Sequence, residues 1–194
     1  MALNGSATLK ELEITISGPG CAVSIWPVLV IPSAAKLPAA TFLVMNFRKP
    51  DPDDPENAGG DWPVREIIQR GYATVASDFN DADPDRVDGF GDGVLGLLGK
   101  EPSADDAWGA LSAWGWAASW VMDYLQTDPA VDAARVAVVG HSRTGKAALC
   151  CGAEDERFSL VISNNSGCGG AAISRTKKGE RSRISRPNFC TGSA

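Results

Sequence analysis

Histidine is nearly missing from this chain: His141 is the only one in 194 residues. A serine nucleophile is weak until an imidazole takes its proton, so the sequence offers a single candidate for that task. Cysteine builds no framework either. Cys21, Cys150, Cys151, Cys168 and Cys190 are odd in number and form no CxxC pair. That argues against a zinc site and against a disulfide scaffold, and free thiols are expected. No apolar run approaches the roughly 20 residues needed to cross a bilayer, so no membrane partner is expected. The start, MALNGSATLK, lacks a basic-then-apolar export signal. Positive charge is in deficit as well. A formal net charge of −6 argues against a nucleic-acid partner, because phosphate binding needs a basic face.

What is present is an ordinary globular content, 44% hydrophobic, in a length that suits one domain or part of a larger one. Leu9–Ser17 and Val23–Ile31 read as two strands joined at Gly18-Pro19-Gly20, an antiparallel edge hairpin, and Pro27 fits an edge strand. Thr41–Phe47 (TFLVMNF) is a near-continuous apolar run, expected of a central parallel strand. Arg48–Asp61 is a loop. Pro63 opens a short helix that Gly71 stops, and Tyr72–Asp78 is the next strand. Asn80–Lys100 is a long acidic, glycine-rich loop. Ser103 is placed to cap a helix reaching Thr127 that carries Trp108, Trp114, Trp116 and Trp120. These tryptophans read as core packing rather than a sugar platform. After a turn at Asp128–Ala134 come a strand from Arg135, a helix at 146–153 and a strand at Phe158–Asn164. Strands alternating with helices predict an α/β class, a mostly parallel sheet with helices on both faces. The basic stretch from Ser174 has no periodicity and reads as a solvated end.

The informative stretch is Arg135–Lys146, RVAVVGHSRTGK. A short β-branched run ends at Gly140, Ser142 follows the turn, Gly145 allows close passage, and KAALCC begins a helix. Two chemistries share these letters. Strand, tight turn bearing a serine, then helix is a nucleophile elbow. Gly140 to Lys146 also spells G-x-x-x-x-G-K, the phosphate loop of a nucleotide binder. In that loop the next residue is Ser or Thr and binds magnesium, whereas here it is Ala147. The esterase reading has its own irregularity, since Thr144 stands where GxSxG has its second glycine. His141 is a poor base for Ser142, because successive side chains on an elbow point apart. Asp81, Asp83, Asp85 and Asp88 resemble a calcium loop, but Pro84 interrupts them and Arg86 stands where the loop needs glycine.

Gly140-His141-Ser142-Arg143-Thr144-Gly145-Lys146 resembles the G-x-S-R-x-G-K elbow of the glucuronoyl esterases, carbohydrate esterase family 15. The similarity extends through LVMNF at Leu43–Phe47 and GYATVASDFNDADPDRVDGFGDG at Gly71–Gly93. It continues in SAWGWAASWVMDYLQTDP at Ser112–Pro129 and GAEDERFSLVISNNSGCGGAAISR at Gly152–Arg175. The resemblance implies an α/β-hydrolase, bacterial in type, with residues 1–180 as the N-terminal part of its domain and 181–194 as a disordered tail. It implies cleavage of glucuronic acid esters between xylan and lignin alcohols through an acyl-enzyme, with no metal or cofactor, in a secreted or periplasmic setting. Ser142 would be the nucleophile, Arg143 would stabilise the oxyanion, and Lys146 would hold hydroxyls of the uronate in a glucuronoxylan or lignin-carbohydrate substrate. Fungal members carry a glutamate where Asn165 stands. The family's catalytic histidine has no counterpart in this chain, which is therefore expected to be inactive alone. The alternatives are a carbohydrate-binding remnant and a nucleotide binder.

Overall fold

A computed structural model describes residues 3–18, 21–51, 62–86, 89, 92–97 and 108–172. Six strands form the main sheet in the order β1-β4-β6-β5-β7-β8. They are β1 (Ala7–Glu11), β4 (Val28–Pro32), β5 (Ala39–Asn46), β6 (Ala73–Asp78), β7 (Val131–His141) and β8 (Leu160–Asn164). β6, β5, β7 and β8 are parallel, while β1 and β4 run antiparallel at one side. The apolar run at Thr41–Phe47 lies at the centre, paired on both sides, as a strand buried on both faces should.

The expected edge hairpin is there but divided. Its two long strands break after Glu11 and after Ile25, so the distal halves, β2 (Ile14–Gly18) and β3 (Cys21–Ile25), make a separate ribbon. Pro27 has no N–H to give a ladder, and its carbonyl accepts from Leu12 at the crossing point instead. Of the hairpin strands in the main sheet β1 is the edge, because β4 pairs with β6 as well.

Helices cover both faces, and the alternation of side chains along the strands decides which face each helix takes. Val28, Val30, Val44 and Ala76 pack with Trp62, Val64 and Ile68 under α1 (Val64–Gln69). Leu29, Ile31, Leu43, Met45, Val75 and Val138 point the other way, toward α3 (Ala110–Leu125) and α4 (Arg143–Glu154). A four-residue helix, α2 (Val94–Leu97), sits on that second side. Trp114 is fully buried there and donates Nε1–H to Asp83 O at 2.8 Å. Trp108, Trp116 and Trp120 stack edge to face in series. Trp114 and Trp120 are core residues, and the half-buried Trp108 and Trp116 pack against that core.

Several boundaries move, and the stretch Asn80–Lys100, expected as a loop, holds α2. α3 begins at Ala110 with Gly109 as its cap, and Ser103 lies outside the described residues. β7 starts at Val131, earlier than Arg135, because Ala39 pairs with Val131 before the register shifts. α4 starts at Arg143, directly after Ser142, and not at Lys146. At its far end Arg157 fastens the following turn, bonding Asp155 at 2.7 Å and Asp123 at 2.5 Å. Across the molecule, Lys10 of β1 meets the buried Asp128 at 2.6 Å.

Candidate active site

Ser142 sits at the carboxyl end of β7, on the turn into α4. It holds φ 55° and ψ −117°, a conformation that L-residues with a Cβ adopt only when their surroundings force them. Two glycines supply that force. A Cβ on Gly140 would stand 2.1 Å from Thr144 O, and one on Gly145 would stand 3.0 Å from Asn164 O. The start of α4 therefore lies against the strands it leaves. Gly145 does the work of the second glycine in GxSxG, one residue late. Thr144 has another task. Its Oγ1 accepts from His141 N at 2.9 Å and donates to His141 O at 2.8 Å, bracing the turn from inside. Asn164 of β8 closes the far side, its carbonyl accepting Ser142 N–H at 2.9 Å.

Serine at a helix N-cap usually bonds its own helix. Ser142 makes no such side-chain bond and is exposed, so the hydroxyl is offered outward. In front of it lies a cavity of about 360 Å³ lined by Val44–Phe47 of the β5 end, Val139–Thr144 and Asn164. The first N–H groups of α4, beginning with Arg143, have no acceptor within the helix. With the helix dipole behind them they favour negative charge beside Ser142.

Arg143 reaches across this mouth. Its Nη1 lies 2.6 Å from Asp85 Oδ2 and its Cζ lies 5.2 Å from the Phe47 ring centroid. Phe47 in turn meets Trp114 edge to face at 5.2 Å. The sequence offered Asp85 only as part of a calcium-like loop and Phe47 only as the end of an apolar strand, neither as a partner of Arg143. An acidic partner for a basic elbow residue was the available signal, and Asp85 lay in a loop rich in such partners. Lys146 sits one turn into α4, half-buried, with its N–H on Ser142 O at 3.2 Å, and it is not part of the cavity lining.

His141 Nδ1 lies 3.1 Å from Asn164 Nδ2, a contact between paired residues of β7 and β8. Asn165, at the position of the fungal glutamate, has φ 50° just beyond β8. Ala147 is fully buried, so no side chain there could face a magnesium ion, and the nucleotide reading receives no support. Among the described residues no three His, Cys, Asp or Glu side chains are grouped to hold a metal; Asp88 lies outside them. Cys21, exposed, and Cys151, buried, are thiols outside any disulfide. Among the described residues no helix is long and apolar enough to cross a membrane.

Comparison with known proteins places this geometry. A family described as glucuronyl esterase, fungi, matches residues 101–188. Carbohydrate esterase MZ0003 of an unknown prokaryotic organism is 32% identical over 220 aligned residues, covering 97% of this chain and 51% of that protein. A 4-O-methyl-glucuronoyl methylesterase 1 of Phanerochaete chrysosporium is 31% identical, covering 90% and 34%. The solved glucuronoyl esterase from Solibacter usitatus superposes with a TM-score of 0.81 at 37% identity, covering 90% of this chain and 51% of its own. The chain thus spans about half the length, or less, of these relatives. Over that extent the chain is similar in sequence and fold to the glucuronoyl esterases, carbohydrate esterase family 15.

Proposed function

We propose that this chain carries the nucleophile and oxyanion elements of a serine carboxylic ester hydrolase acting on glucuronic acid esters. The observation that carries the reading is Ser142, held at positive φ with an exposed hydroxyl at the carboxyl end of a parallel sheet. The substrate class follows from the relative whose name is 4-O-methyl-glucuronoyl methylesterase. A polymer-borne ester of xylan and lignin alcohols, met outside the cell, is the natural source of such a group.

In this reading Ser142 Oγ bonds to the uronate carbonyl carbon while its proton passes to an imidazole base. Negative charge gathers on the carbonyl oxygen, toward Arg143 N–H and the guanidinium, which are fixed before the reaction begins. The ester C–O bond then breaks, and the alcohol leaves with the proton returned by the imidazolium. Water repeats the sequence to free the acid. Lys146 is assigned to hydroxyls of the sugar. The imidazole is not assigned to His141, because successive side chains on an elbow point apart, so the chain alone is expected to turn over little.

Added imidazole supplies the missing base and makes the reading testable. The full chain is incubated with methyl glucuronate and millimolar imidazole, and intact mass reports the acyl adduct. An adduct that requires imidazole and disappears in Ser142→Ala is expected. Equal labelling of Ser142→Ala, or none in the wild type, would overturn the proposal.

A further inference from the structure

We infer that Asp85 is a positioning residue for the oxyanion donor, holding the Arg143 guanidinium beside Ser142. The inference rests on the reading of Ser142 as nucleophile. An unrestrained arginine side chain has many rotamers to lose, and a donor that must first be ordered gives little to a transition state. Here the ordering is done beforehand. Asp85 Oδ2 takes Nη1 at 2.6 Å, with the Asp85 side chain only 11% exposed. The Phe47 ring lies against the other side of the guanidinium at 5.2 Å.

Asp85 is itself anchored. Its N–H donates to Asn80 Oδ1 at 3.1 Å. Asn80 Nδ2 donates to Phe47 O at 3.3 Å and to Asp78 Oδ1 at 2.9 Å. The loop after β6 is thereby stapled to the ends of β5 and β6, and the carboxylate inherits their rigidity. The pairing also spares donors. Asp85 Oδ1 is buried and accepts no hydrogen bond among the described residues, so the carboxylate engages the guanidinium through one oxygen. A fork-to-fork pair would consume two N–H groups. One-point attachment fixes direction and leaves the remaining guanidinium donors for the substrate oxygen.

The test uses the full chain labelled with ¹⁵N-arginine and the imidazole-assisted acylation described above. In the wild type a sharp, slowly exchanging Arg143 Nε–Hε signal is expected, assigned by its loss in Arg143→Lys. Asp85→Asn should speed that exchange at least about tenfold and slow acylation about 10- to 100-fold, the range expected for a displaced oxyanion donor. The dissociation constant for the uncharged methyl glucuronate, measured in a Ser142→Ala background, should change less than about twofold, since sugar contacts are assigned to Lys146. Asp85→Glu should recover most of the rate. Asn80→Ala, which frees the Asp85 backbone but keeps its charge, should move both readouts the same way by a smaller factor. This variant also decides the matter if Asp85→Asn folds poorly. Wild-type acylation and an unchanged Arg143 signal in Asp85→Asn would overturn the inference, as would a rate loss that Glu does not restore. If the wild type forms no Ser142 adduct, the nucleophile reading fails, and the Arg143 signal alone then judges Asp85: dependence on Asp85 supports it, independence overturns it.

Discussion

Gly140→Ala tests whether backbone proximity makes the elbow. The added Cβ would meet Thr144 O at 2.1 Å, Thr144 C at 2.3 Å and Gly145 N at 2.7 Å. All three are main-chain atoms in the first turn of α4, so no rotamer change relieves them. Real Cβ contacts essentially never fall below 3.0 Å, so α4 must retreat by about 0.9 Å from β7. That helix is buried against α3 and β8 through Ala147, Ala148 and Cys151. An overpacking cost at or above about 3 kcal/mol is expected, which lowers Tm by about 6–12 °C at this chain length. Two controls grade the effect. Gly145→Ala meets its neighbours at 3.0–3.1 Å and should cost about 1 kcal/mol. Gly152→Ala strikes Val161 Cγ2 at 2.1 Å, but that methyl group can move, so its loss should fall between the two. Circular dichroism melts give the order, and acylation of Ser142 should fall about 100-fold in Gly140→Ala because the helix start has shifted. A Gly140→Ala protein melting within 2 °C of wild type, with undiminished acylation, would refute the steric account.

Three further outcomes follow from the same structure. Ser142→Gly should relieve the cost of φ 55°, of order 1–3 kcal/mol. Set against about 0.4–1 kcal/mol of added unfolded-chain entropy, this predicts a small rise in Tm that Ser142→Ala does not share. Asp155 is held down to about 2, first by its bond from Arg157 and against the opposing effect of burial. A folded pKa below the unfolded one gives stability that is complete above about pH 4 and lost as pH falls through about 2. Arg157→Gln should therefore lose about 1–2 kcal/mol at pH 6, after allowance for the partly exposed guanidinium, and match wild type near pH 2 in urea titrations. Asp83 has the opposite sign: burial, with the nearby Asp92 charge adding to it, pushes its carboxyl up to about 6 against a bond from Leu95. The folded state then holds the proton more tightly, so stability declines from about pH 4 to 6 and levels off above. Asp83→Asn should gain about 2–3 kcal/mol on wild type between pH 4 and pH 7, and a pH-independent difference would count against this.

Local chemistry made most of the architecture readable. The apolar runs at Thr41–Phe47 and Val136–Val139 are strands because they can be buried on both faces, and Gly71, at φ 80°, ends its helix as a left-handed stop. Ser142 was legible because glycines flank it at a spacing only a tight turn requires. The division of the first hairpin was less so: both halves alternate apolar residues, and only Pro27 marks where the ladder breaks. The partners of Arg143 were not legible, since Phe47 just past β5 and Asp85 in the loop after β6 reach it from distant stretches of chain and nothing in their own neighbourhoods points to it. Asn164 is a similar case. Its main-chain oxygen matters, and a carbonyl leaves no trace in residue type.

That carbonyl ties the elbow to the rim of the sheet. β8 is the outermost described strand beyond β7, and it holds the Ser142 N–H. Peeling β8 away necessarily breaks this bond, so the opening free energy of the Ser142 amide cannot exceed that of releasing the strand. Hydrogen exchange at this one amide therefore sets a lower bound on how firmly β8 is attached. Anything that pairs with β8 and slows its fraying should be read out at the serine as added protection.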